Sequence, residues 1–275
     1  MSRIAILLIL ASAALQAAPL QIAHGQFGSG KPYVRCTLDA VLQLCVLDTG
    51  SALSLVGDSE EFAKYPAVGK VRFLSAAGIP LETDQIQIRN VMLSTFNFQD
   101  VKFARITPSE KLESTIGIDL IGRQPFLFEF VKRSSLILGG AAPRPLLDGV
   151  EVHRNGVFSL PVGLGHIQTR ALWDTAAELT VVDQSYVKAN PDNFSFIKDL
   201  TTGFDGTGRP IKLKLFRAKS IAVGPRTFRN IRVGVLDLAT VHKGADKGVQ
   251  AVIGFNLIRK ADWYFDLQNR RWSIK

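Results

Sequence analysis

The chain is poor in the residues that metal and redox chemistry need. It has only two cysteines and four histidines in 275 residues. The histidines, at positions 24, 153, 166 and 242, are scattered and form no ligand cluster. Cys36 and Cys45 are nine residues apart, which is not a Cys-x-x-Cys redox spacing. No cofactor or metal is therefore expected. No apolar run after the N-terminal segment approaches the roughly 18 residues of a membrane-spanning helix. No run of five Lys or Arg occurs, so the net charge of +9 reads as a solvated basic surface. An acidic substrate, an anionic envelope surface or nucleic acid could also answer to it. Long stretches of helical period are absent as well. Strand formers broken by Gly and Pro dominate, and the expected class is all-β.

The first 18 residues have the form of a secretory signal. Arg3 supplies a charged start, Ile4 to Leu10 an apolar stretch, and Ala11 to Ala18 small residues for cleavage after Ala14, Ala17 or Ala18. No Cys ends this leader to accept a lipid. The mature chain is expected to be exported, periplasmic or secreted, with no stable membrane insertion. Little sequence separates the leader from the first strand, so a long inhibitory pro-segment is not expected there. Tyr33–Leu38 and Val41–Leu47 read as a hairpin turning at Asp39-Ala40, which makes Cys36 and Cys45 near neighbours. Two cysteines so placed in an exported chain predict a disulfide.

The stretch Val46-Leu47-Asp48-Thr49-Gly50-Ser51 organises the rest. An aspartate at the end of an apolar strand is costly unless it is hydrogen-bonded or functional. Thr49 and Ser51 offer hydroxyls to a carboxylate, and Gly50 permits close approach. About one chain in twenty of this length would contain Asp-Thr-Gly by chance, so the tripeptide alone decides nothing. A second copy, Leu172-Trp173-Asp174-Thr175-Ala176-Ala177, lies 126 residues downstream. Gly78-Ile79-Pro80 matches Gly208-Arg209-Pro210 at an offset of 130, and Phe98–Lys102 matches Phe228–Arg232. Ile116–Leu138 aligns without a gap on Ile253–Lys275 with seven of 23 positions identical. Three blocks in one order indicate a duplicated half.

These residues together resemble the aspartic peptidases of the pepsin and retropepsin superfamily. The likeness rests on Asp48-Thr49-Gly50-Ser51 followed by Ile116-Gly117-Ile118-Asp119, and on Asp174-Thr175 followed by Ile253-Gly254-Phe255-Asn256. The chain looks like two retropepsin-sized units fused, similar to exported bacterial forms. The resemblance implies two pseudo-two-fold-related β-barrel-like lobes with the active cleft between them. The expected division is a signal over 1–18, a first lobe over 19–138, a linker over 139–145 and a second lobe over 146–275. It implies an aspartic endopeptidase in which Asp48 and Asp174 share one proton and activate a water, acting on a peptide or protein substrate as a monomer without nucleic acid. Thr49 and Thr175 would brace the two loops, with Gly50, Ser51, Ala176 and Ala177 in support. Ala76, Ala77 and Gly78, with Gly206, Thr207 and Gly208, fall at the tips of hairpins that would act as flaps. Gly117 and Gly254 would let strands pack closely behind the active loops, while Asp119, Asp237, Asp262 and Asp266 read as turn or surface residues.

Two departures from the family pattern matter. Ala176 stands where the pattern has Gly, at a cost of about 1–2 kcal/mol if that position needs positive φ; with negative φ its methyl merely narrows the cleft. A rival reading is a peptidase-like module that binds extended peptides by strand addition and cuts nothing; an envelope structural protein is a third. Ser51 has no hydroxyl counterpart at Ala177. A hydroxyl donating to Asp48 would make Asp48 the charged base and leave the proton on Asp174.

Overall fold

A computed structural model describes residues 17–25, 27–75, 79–107, 112–205, 209–238 and 248–275. Strands dominate it, and the described α-helices are short, four to six residues each. Each half curls into a closed barrel of six strands. In the first, Lys31–Leu38, Val41–Asp48, Thr115–Gly117, Leu55–Gly57, Phe96–Ile106 and Pro80–Leu93 neighbour one another in that order, and Pro80–Leu93 pairs back on Lys31–Leu38. In the second, Phe158–Leu164, Ile167–Trp173, Val249–Ile253, Thr180–Asp183, Arg226–Leu236 and Pro210–Val223 repeat the order, and Pro210–Val223 pairs back on Phe158–Leu164. The inward positions are Val, Ile, Leu and Phe, and closure leaves few free edges.

The hairpin predicted around Asp39 forms between Lys31–Leu38 and Val41–Asp48, with Asp39 in the left-handed region at φ 52°. Cys36 and Cys45 are joined in a disulfide, their Cα atoms 5.9 Å apart and both side chains fully buried. The two expected flap hairpins form as well, Ala67–Leu74 with Pro80–Leu93 and Phe194–Phe204 with Pro210–Val223. Their tips, Ala76, Ala77 and Gly78, and Gly206, Thr207 and Gly208, lie outside the described residues. Each tip is closed at its base in the same way, by Ser75 N–H to the Ile79 carbonyl at 3.0 Å and Asp205 N–H to the Arg209 carbonyl at 2.9 Å.

The last strands behave differently from the sequence expectation. Trp263–Asp266 and Arg271–Ile274 do not complete the sheet of their own half. They join the first half's sheet, where Trp263–Asp266 pairs antiparallel with Phe126–Glu129. Trp263 faces Phe128, Tyr264 faces Leu127 and Phe265 faces Phe126. These residues are the ones that the offset of 137 equates, so the pseudo-two-fold axis passes between Leu127 and Tyr264. Aromatic side chains are the reason. Phe126, Phe128, Phe158, Trp173, Trp263 and Phe265 form one buried cluster drawn from both halves, with Trp173 and Phe265 ring centres 4.7 Å apart. Such rings contribute large buried areas, and splitting them between separate lobes would expose that area.

Ala17–Ala23 inserts into the same sheet, pairing Ala17 with Ile137 and Ala18 with Leu136. Residues 139–145 contain no helix or strand. Among the described residues no helix is long and apolar enough to cross a membrane.

Candidate functional site

Both aspartates of the repeated motif end a strand that is held from behind by a parallel neighbour. Val41–Asp48 runs parallel to Thr115–Gly117, with Asp48 beside Gly117. Ile167–Trp173 runs parallel to Val249–Ile253, with Trp173 beside Ile253, and Asp174 N–H continues to the Ile253 carbonyl at 3.0 Å. A strand end fixed on both sides cannot withdraw its next residue, so Asp48 and Asp174 project from rigid supports. Gly117 and Gly254 make this possible. A Cβ on Gly117 would lie 2.7 Å from the Leu53 carbonyl, and one on Gly254 would lie 2.3 Å from that of Leu179. Neither contact is sterically allowed.

The two loops then interlock. Thr49 N–H donates to Thr175 Oγ1 at 3.1 Å, and Thr175 N–H donates to Thr49 Oγ1 at 3.2 Å. Each hydroxyl donates onward to the carbonyl before the other aspartate, Thr49 to Trp173 at 2.9 Å and Thr175 to Leu47 at 2.6 Å. Both threonines are fully buried, where an unpaired hydroxyl or amide would be costly. The brace therefore fixes the separation of the loops.

Each carboxylate receives the same pair of amides. Asp48 Oδ1 accepts from Gly50 N–H at 2.9 Å and Ser51 N–H at 3.0 Å. Asp174 Oδ1 accepts from Ala176 N–H at 2.9 Å and Ala177 N–H at 3.0 Å. The two carboxyls are also hydrogen-bonded to each other. Burial is the main cause that holds Asp48 well above the usual carboxylate range, and the charge of Asp174 adds to it; the Gly50 and Ser51 amides pull the other way. Burial likewise raises Asp174 against the pull of the Ala177 and Ala176 amides. Both carboxyls are half-buried at the surface of the cleft, and two like carboxyls this close release their protons in two steps that belong to the pair.

Two expectations change here, and an open one is decided. The Ser51 hydroxyl does not reach Asp48; it donates to the Leu53 carbonyl at 2.7 Å. A hydroxyl has one proton to donate, so the difference between Ser51 and Ala177 does not bias the charge, and the ground for making Asp48 the base is removed. Thr49 likewise spends its hydroxyl on the brace. Ala176 is not among the residues with positive φ, so its methyl strains no backbone. Gly50 is the position without room: a Cβ there would lie 2.4 Å from Asp174 Cγ.

Asp119 and Asp262 are more than surface residues. Asp119 Oδ1 accepts from the Ser54 hydroxyl at 2.8 Å, while Ser54 Oγ accepts from Gly117 N–H at 3.1 Å. The second half repeats this with Thr180 Oγ1 to Asn256 Oδ1 at 2.9 Å and Gly254 N–H to Thr180 Oγ1 at 3.2 Å. Asp262 caps the other lobe, accepting Phe130 N–H at 2.7 Å and Val131 N–H at 2.9 Å. The repeat itself carried the signal for the first pair, since Ser54 aligns with Thr180 and Asp119 with Asn256. Glu178 had no such signal, because its counterpart is Ala52. Its carboxylate crosses to the first half and accepts from Phe27 N–H at 2.6 Å and Ser29 N–H at 3.1 Å.

No group of three or more His, Cys, Asp or Glu able to hold a metal occurs among the described residues. No protein-family model and no curated protein matches the sequence. Among solved structures the chain is similar to an aspartic proteinase from Irpex lacteus, with a TM-score of 0.61 at 13% identity. The match covers 94% of this chain and 96% of that one.

Proposed function

We propose that this chain, which has the fold of the pepsin-like aspartic proteinases, is an aspartic endopeptidase whose dyad is Asp48 and Asp174. The observation that carries the reading is the braced pair of half-buried carboxyls, each fixed by two backbone amides. With one proton between them, the charged carboxyl takes a proton from a bound water as that water attacks the scissile carbonyl. The protonated carboxyl donates to the developing oxyanion. Because Thr49 and Thr175 already fix the loops, the carboxyls need little rearrangement to reach this geometry. The substrate is an extended peptide lying across the dyad beneath the two hairpins, and export follows from the N-terminal leader and the buried disulfide.

The test is turnover of a mixed peptide library by the wild type and by Asp48→Asn and Asp174→Asn. Each variant is expected to lose cleavage while remaining folded. Unchanged turnover in either one overturns the dyad. A folded wild type that binds peptides in the library but cuts none would establish the peptide-binding module instead.

A further inference from the structure

The chain's positive charge is concentrated on one hairpin of the second lobe. Between Arg209 and Arg232 the sequence has eight Lys or Arg and no Asp or Glu. The corresponding stretch of the first lobe, Ile79 to Lys102, has two cations, Arg89 and Lys102, against Glu82, Asp84 and Asp100. The fold therefore does not require the charge. Strand pairing places Arg217 directly opposite Arg232, both exposed on the outer face. Like charges so placed are destabilising. Arg259 and Lys260 follow the helical turn Phe255–Ile258 and face the same hollow.

These four cations line a concavity of about 270 Å³, together with Phe27 and Asn256. No carboxylate is in its lining. None of the four takes part in an ion pair among the described residues. The nearby acid, Glu178, is committed to the amides of Phe27 and Ser29. Arg259 is held in place by the Ser29 carbonyl, which its Nη1 meets at 3.3 Å.

We propose that this concavity, behind the second aspartate loop, binds a phosphate group carried by a soluble phosphorylated compound or by a lipid headgroup. Guanidinium forks match phosphate oxygens two at a time. A phosphate between Arg217 and Arg232 turns their repulsion into shared attraction, with Arg259 and Lys260 closing the other side. The volume lies near the small end of ligand sites, roughly 300 Å³, and leaves room for a group beyond the phosphate.

Calorimetric titration with inorganic pyrophosphate, at ionic strength held constant with chloride, tests the site. The wild type is expected to bind saturably. Arg217→Gln/Arg232→Gln is expected to weaken binding by about tenfold or more, the loss of charge-assisted hydrogen bonds. It should also melt at an equal or higher temperature than the wild type in low salt, which separates loss of the site from loss of the fold. Lys212→Gln/Lys219→Gln removes the same charge outside the lining and should leave the affinity within about twofold. Absence of saturable binding by the wild type, or equal weakening in both double variants, overturns the proposal. Co-sedimentation with phosphatidylglycerol vesicles but not phosphatidylcholine, lost in the Arg217/Arg232 variant, identifies a lipid headgroup. Pyrophosphate binding without co-sedimentation identifies a soluble ligand.

Discussion

The matched amides and shared burial of the two carboxyls have consequences at single residues. Each is raised by burial, so the folded chain keeps a proton that the unfolded chain releases above the ordinary carboxylate range. The folded state binds more protons in that window, and stability falls as pH rises through it. Asp48→Asn and Asp174→Asn remove this cost. Each is expected to melt higher than the wild type at pH 7 and to converge with it at low pH, read by thermal scans across pH. Activity needs one proton on the pair and is lost above the higher apparent value and below the lower one. Its alkaline limb should therefore lie above the ordinary carboxylate range, with a maximum at mildly acidic pH. Ser51→Ala leaves both amides on Asp48 in place, so neither limb of the kcat/KM profile should move. The two small residues of the loops are not interchangeable either. Gly50→Ala drives a methyl into the Asp174 carboxyl and should lower kcat by about 100-fold. Ala176→Gly should keep activity equal or higher, at a stability cost of about 0.5–1 kcal/mol from added backbone freedom.

At the scale of the element, the first hairpin and the first strand each carry a prediction. The Cys36–Cys45 bridge closes a nine-residue separation, and chain entropy assigns such a loop about 2–3 kcal/mol. Cys36→Ala/Cys45→Ala should melt lower by that margin in denaturant titration and still cut peptide, because the bridge lies in the barrel wall away from the dyad. Ala18 is fully buried and pairs with Leu136. Cleavage after Ala18 would delete that pairing, whereas cleavage after Ala14 or Ala17 keeps it. N-terminal sequencing of the exported protein is expected to find Leu15 or Ala18 first. A start at Pro19 would count against the strand's role.

The whole molecule is held together by what the halves exchange. Trp263–Asp266 and Arg271–Ile274 lie in the first half's sheet, and Asp262 caps Phe130 and Val131 across the same boundary. Neither lobe keeps a complete core without the other. Calorimetry should show one unfolding transition, and a chain ending at Asp262 should fail to fold rather than leave an intact first lobe. Asp262→Ala strips two amides, one part-buried and one exposed, of their acceptor and should cost about 0.5–1.5 kcal/mol. Two transitions in the scan would show that the lobes fold separately.

The duplicated halves, the two Asp-Thr loops, the hairpin with its cysteine pair and the all-β class were legible in the order of the residues. Each of these is a local pattern or a repeat, and a repeat is visible wherever both copies keep the same residue types. Tertiary structure alone decided where the last strands pair, because Phe126, Phe128, Trp263 and Phe265 look like ordinary strand residues until the aromatic cluster joins them. It also decided the partners of short polar side chains. Ser51, Thr49, Asp119 and Glu178 can each reach several acceptors or donors, and which one lies within about 3 Å is set by the packing of segments more than 60 residues apart in most of these cases. The charge of +9 was legible as a sum. Its concentration around one hollow needed the register that sets Arg217 opposite Arg232 and the fold that brings Arg259 and Lys260 beside them.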